Sequence, residues 1–298
     1  MATQVSRVAA PQARTLLPVA AAGVTVVLWA SAFVAIRQAG HEISAGGLAL
    51  GRLVVAAVVL GAVVATRPRV WPTRRELMLI AVCGVTWLGI YNIALNEAER
   101  HVAAGVAAMI VNVGPIIIAV LAGAFLREGF PRGLFGGGLL AFAGVVLIGI
   151  ATISGSAADV LGVVLCLVAA VGYAIGVVCQ KPVLRHVPAL TVTWLGCVVG
   201  AVVCSPFLPS LVHDVSRASA TSIGLMVFLG AFPTALAFTT WAYALRHTTA
   251  GRMGATTYLV PPLAILLGWA LLGETPAWLA LAGGAVALAG VAVTRRFR

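Results

Sequence analysis

Residues 101–147 align without a gap onto residues 247–293, an offset of 146. The copies share His101/His247, Ala104-Gly105/Ala250-Gly251, Pro115/Pro261, Leu121/Leu267, Ala124/Ala270, Leu126/Leu272, Glu128/Glu274, Gly137-Gly138/Gly283-Gly284, Ala141/Ala287 and Ala143-Gly144-Val145/Ala289-Gly290-Val291, 14 identities in 47 positions. A chain this rich in Ala, Val, Leu and Gly gives about five by chance, and the paired Pro and Glu are rarer letters. The chain therefore reads as an internal duplication, and in membranes duplication points to transporters.

The chain is 61% hydrophobic and 9% charged. It has too few polar residues to cover a water-facing surface, so an all-α integral membrane protein is expected. At about 20 apolar residues per crossing, ten transmembrane helices fall near 16–37, 44–65, 77–96, 103–126, 133–153, 158–180, 190–210, 221–245, 250–272 and 276–294. The first run follows Arg7 and Arg14 as a signal peptide's would. It continues to full spanning length and is read as a retained helix.

The net charge of +11 sits mainly in short gaps between apolar runs, so it predicts topology and no nucleic-acid partner. With the N-terminus in the cytoplasm, the inside segments hold fifteen of the nineteen Lys and Arg residues, and the outside holds only Arg37, Arg100 and Arg217. The remaining one, Arg52, lies within span 2. Both termini are therefore expected to be cytoplasmic. Five crossings separate residue 101 from residue 247, an odd number, so the copies have opposite orientations. The expected architecture is two inverted five-helix repeats, 1–153 and 154–298, the arrangement of an alternating-access carrier.

The five cysteines lie in apolar segments and behave as small hydrophobes. The five histidines fall at loops without metal-ligand spacing, and no nucleophile and base are paired. Neither an enzyme, a cofactor nor a metal site is expected.

Trp29-Ala30-Ser31-Ala32-Phe33 in span 1, Arg52 in span 2, Ala104–Pro115 and Glu128 in and after span 4, and Val260-Pro261-Pro262 with Gly273-Glu274-Thr275-Pro276 around the end of span 9 resemble the EamA branch of the drug/metabolite transporter superfamily. The resemblance covers essentially the whole chain and both repeats, and the nearest type is the YddG-like amino-acid exporters. One departure is Ala30, where many relatives carry Gly. The resemblance implies export of metabolites, most often amino acids, across the bacterial inner membrane. Drug or other metabolite efflux is the alternative.

Pro115 and Pro261 each remove a helix hydrogen bond, leaving the carbonyls of Val111 and Thr257 without their usual donors. Such a carbonyl is tolerated in a bilayer where it faces protein or a water-filled cavity, so both helices are expected to bend around a central site. Asn112 and Tyr258 occupy equivalent positions on the faces that carry these prolines. With Trp29 and Ser31 of span 1, Tyr91 and Asn92 of span 3, Tyr173 of span 6 and Trp241 of span 8, they form the expected substrate-binding set. An aromatic cavity with a few hydroxyls and amides suits the apolar side chain and polar backbone of an amino acid.

Arg52 needs an acceptor wherever it sits inside a span. It either holds a substrate carboxylate bidentately or serves as a structural charge at helix ends. No Asp or Glu lies in the middle third of any span, so ion coupling through an intramembrane carboxylate is not expected. The remaining partners are the lipid bilayer and a small-molecule substrate, handled by a functional monomer.

Overall fold

The computed structural model describes residues 13–68, 70–130, 134–152 and 157–296. Arg7, Arg69, Arg132 and Arg298, which enter the charge count, lie outside the described residues, as does the expected repeat boundary at 153/154. Every described element is helical. The stretches are α1 (Ala13–Ala39), α2 (Ala45–Ala65), α3 (Arg74–Ala98), α4 (Ala104–Phe125), α5 (Leu134–Thr152), α6 (Ala157–Val183), α7 (Ala189–Val215), α8 (Ala220–Arg246), α9 (Ala250–Leu272) and α10 (Trp278–Arg296). Eight of them, all but α5 and α10, are long and apolar enough to cross a membrane.

Small residues let these helices approach closely where no hydrophobic drive separates protein from lipid. A Cβ on Gly176 of α6 or Gly84 of α3 would run into Trp87 or Val199. Exposed positions on the outside of the helices keep large apolar side chains, among them Val58, Leu139, Phe142 and Trp269. Trp71 and Trp278, beside helix ends, stand exposed.

Around a central axis, α1 packs on α8 and α9 while α6 packs on α3 and α4. The irregular turns repeat with the same 146-residue spacing as the sequence. A π-helical turn spans Gly84–Ile90 in α3, and a second spans Gly230–Leu236 in α8. Helix α4 stops at Val111 and restarts at Gly114 with Pro115 in its first turn, and α9 passes through a 3-10 turn, Ala255–Leu259, before Pro261. The breaks expected from the two prolines are present.

The ends of the bundle are tied by carboxylates. Glu274, just past α9, accepts from the Ala104 N–H at 3.1 Å, at the start of α4. Glu128, just past α4, accepts from the Ala250 N–H at 3.0 Å and the Gly251 N–H at 3.4 Å, at the start of α9. Helices α4 and α9 therefore run in opposite directions. Each carboxylate also has a basic companion at the end of another helix. Arg37 donates to Glu274 at 2.8 Å and to the backbone carbonyl of Glu99, while Lys181 donates to the carbonyls of Leu245, at 2.6 Å, and Thr248. These contacts define an Arg37 end and a Lys181 end.

Candidate functional site

Midway along α1, Trp29 is the hub of an aromatic cluster. Its ring centroid lies 4.9 Å from that of Trp241, 5.4 Å from Phe238, 6.0 Å from Trp87 and 6.2 Å from Tyr173. Offset and edge-on rings at these distances attract beyond their area burial, and four helices meet through them. Above the cluster, toward the Arg37 end, a cavity is lined by Trp29, Phe33, Arg52, Tyr91, Asn112 and Thr257, among others. Its free space is about 50 Å³, room for a water or two. A molecule as large as an amino acid would fit only if lining helices or side chains moved apart.

The polar groups of this cavity come from the helix irregularities. Where α4 breaks, the Asn112 amide donates to the carbonyl of Thr257 at 3.3 Å; the Thr257 hydroxyl donates to the Gly254 carbonyl at 2.6 Å and lies 3.4 Å from the Asn112 side-chain oxygen. The carbonyl deprived of its i+4 donor by Pro261 is thus reached by the residue that begins the opposite break, in addition to the Val260 N–H of the 3-10 turn. Arg52, 3% exposed, donates its Nε to Thr234 Oγ1 at 3.0 Å, and Thr234 donates to the Leu229 carbonyl at 2.7 Å. The π-helical turn of α8 places Thr234 for this purpose. The Tyr173 hydroxyl faces Thr257 but has no partner of hydrogen-bond geometry.

Of the expected substrate-binding residues, Trp29, Tyr91, Asn112 and Tyr173 line the cavity together with Arg52. Trp241 is fully buried and packs against Trp29 behind the lining. Ser31 donates to Leu28 within its own helix at 2.8 Å, and Asn92 to Leu88 likewise at 2.8 Å, so neither contributes to the lining. Tyr258 is half-buried next to the lining residue Thr257. Pro115 and Pro261 sit in the first turns after the breaks.

Sequence reasoning did not single out Thr257, Phe238 or Thr234 for the site. Thr257 had a legible signal, being the residue whose carbonyl Pro261 frees. Among the described lining residues no Asp or Glu occurs, and no cluster of His, Cys, Asp and Glu among the described residues has metal-binding geometry. A second, wider cleft of about 1050 Å³ opens at the Lys181 end between α3, α4 and α6 and shares no lining residue with the central cavity.

The EamA-like transporter family matches this chain twice, at residues 16–150 and 160–296. A probable terminal-alkyne amino-acid exporter of Streptantibioticus cattleyicolor is 36% identical over 272 residues, 91% of each chain. The uncharacterized transporter YdfC of Bacillus subtilis is 30% identical over 90% of this chain and 87% of its own. A probable amino-acid metabolite efflux pump of Salmonella typhimurium is 26% identical over 89% of this chain and 90% of its own. A crystal structure that is 19% identical shares the fold, with a TM-score of 0.65 over 96% of this chain and 98% of the other. With its double match, its transporter relatives and its eight apolar helices of spanning length, the chain belongs to the EamA-like transporter family and is a multi-pass membrane transporter, not an enzyme.

Proposed function

We propose that the protein exports amino acids, aromatic and apolar ones included, or small metabolites like them, across a bacterial inner membrane by alternating access. The observation that carries this reading is the small central cavity, where a guanidinium, an amide and three hydroxyl-bearing side chains stand beside indole and phenyl rings. Arg52 suits a substrate carboxylate, and the rings suit an apolar side chain. The names of the Streptantibioticus and Salmonella relatives support the same substrate class. A cationic drug prefers a buried acid, and the described lining contains none.

The mechanism is a rocking of two inverted five-helix halves, 1–153 and 154–298, in a ten-crossing monomer with cytoplasmic termini. The exchanged carboxylate caps support it, because each half caps a helix of the other, the first half at the Lys181 end and the second at the Arg37 end, and a reciprocal contact is what a two-fold axis produces. In this arrangement the Arg37 end faces outward and the Lys181 end inward. Opening one end while the other stays capped exposes the cavity to one side at a time. Counterflow of labelled amino acids into liposomes containing only this protein tests the reading. Uptake of at least one aromatic or apolar amino acid is expected, and no counterflow of any amino acid overturns it.

A further inference from the structure

Just past the end of α3, Glu99 is 1% exposed, and neither oxygen of its carboxyl has a hydrogen-bond partner. Its nearest cation is engaged elsewhere. Arg37 of α1 gives its Nε to Glu274 and another N–H to the backbone carbonyl of Glu99, not to the Glu99 carboxylate. The second oxygen of Glu274 holds the Ala104 N–H. A charge at Glu99 would therefore be a second carboxylate buried beside one guanidinium that already has its counter-ion.

The other groups facing Glu99 do not change this balance. Arg52 of α2 acts on it from the cavity side, and Tyr91 of α3 and Cys166 of α6 are neutral neighbours. On the same turn, Glu97 pairs with His101 at 3.1 Å and Arg100 at 3.8 Å, and the Arg100 guanidinium also donates to the Gly40 carbonyl at 2.9 Å. Burial pushes the Glu99 carboxyl well above the usual carboxylate range, and Glu274 adds to the shift while Arg37 and Arg52 oppose it.

We propose that Glu99 binds one proton when the Arg37 end closes and gives it up when water reaches the carboxyl again, making it the proton-coupling site of the transporter. This rests on the export reading above. The sign follows from where the proton is held: Glu99 is neutral while both ends are closed and no water reaches it, so lowering the pH favours that occluded state and raising it favours states in which water reaches the carboxyl. In the proposed orientation the proton is taken from outside. When the Lys181 end opens, water in the cavity reaches Glu99 past Arg52, whose positive charge favours the ionised form, and the proton leaves inward. One proton then enters for each substrate molecule exported.

Proteoliposomes separate this inference from the reading it rests on. The readout is the ratio of accumulation driven by a pH gradient to counterflow at equal pH, with pyranine reporting proton movement. At one-to-one coupling, a gradient of one pH unit sustains about tenfold accumulation. Wild type is expected to approach that and to move protons opposite to substrate. Glu99→Gln, which keeps the shape of the neutral acid, should bring the ratio down to that seen without a gradient. The half-exposed neighbour variant Glu97→Gln should retain the wild-type ratio. Intact counterflow in wild type without gradient-driven accumulation or a pyranine signal overturns the inference, and that measurement stands even if Glu99→Gln does not fold. Absent counterflow overturns the export reading instead.

Discussion

Glu128 caps the helix that ends in front of Glu274, and Glu274 caps the helix that ends in front of Glu128. The two carboxylates are 146 residues apart, and each satisfies backbone N–H groups that a helix start leaves without an intrahelical acceptor. A carboxylate also complements the positive end of the helix dipole. Removal of either is expected to cost about 0.5–2 kcal/mol, the usual range for a lost cap. Glu274→Ala should cost more than Glu128→Ala because it also deprives Arg37 of its counter-ion. Thermal unfolding of the purified variants in detergent checks this, and equal midpoints for Glu274→Ala and wild type would show the cap to be dispensable.

The Asn112–Thr257 link joins the two helix breaks across the cavity. Asn112→Ala removes one of the two donors to the Thr257 carbonyl, which keeps the Val260 N–H, a cost of about 0.5–1.5 kcal/mol, and removes an amide from the lining. A measurable loss of stability and of counterflow is expected together. Tyr258→Ala, one residue away and off the described lining, should reduce counterflow far less. If the Tyr258 variant proves the more damaging of the two, substrate contacts the face of α9 that carries Tyr258.

The hydroxyl of Tyr173 is buried at the cavity without a hydrogen-bond partner, which is costly to the folded protein unless a substrate fills the vacancy in the cycle. Tyr173→Phe removes only that oxygen. The expected outcome is an unchanged or higher unfolding temperature with weaker half-saturation by substrate. A variant that loses stability while transporting normally assigns the hydroxyl to packing and sinks its role as a donor to substrate.

The sequence makes some of this geometry legible and hides the rest. Pro115 and Pro261 announce the breaks because proline chemistry acts locally. The repeat offset likewise pairs Glu128 with Glu274 before any contact is known. The π-helical turns at Gly84–Ile90 and Gly230–Leu236 are not legible, since hydropathy reads a wide turn and a regular one alike. Tyr258 was expected in the site on regular α-helical spacing. The 3-10 turn at Ala255–Leu259 rotates successive residues further than an α-helix does, and Thr257 lines the cavity. Glu99 reads as an ordinary helix end, because its burial depends on Arg37 and Glu274 arriving from distant parts of the chain.

Arg52 is held by a single side-chain bond from its Nε to Thr234 and lines the cavity. Arg52→Lys keeps the charge but loses the planar fork that matches a carboxylate. A charged hydrogen bond is worth about 1.5–3 kcal/mol, so half-saturation should rise by about tenfold or more. Maximal rate and folding should suffer less. An unchanged half-saturation together with a lowered unfolding temperature would reduce Arg52 to a strut between α2 and α8.

Helices α5 and α10 meet through glycines rather than through large side chains. A Cβ on Gly144 would stand 2.5 Å from the Gly283 carbonyl oxygen, and one on Gly283 would stand 2.7 Å from that of Gly144. Both obstacles are backbone, so neither can swing aside, and the pair must separate to admit a methyl group. Gly144→Ala and Gly283→Ala are each expected to destabilise by about 1–3 kcal/mol, the double variant by less than the sum because one separation accommodates both. Counterflow through the surviving folded fraction should stay near wild type, since neither glycine lines the central cavity. Additive losses in the unfolding midpoints would show that the two helices do not move apart as one step.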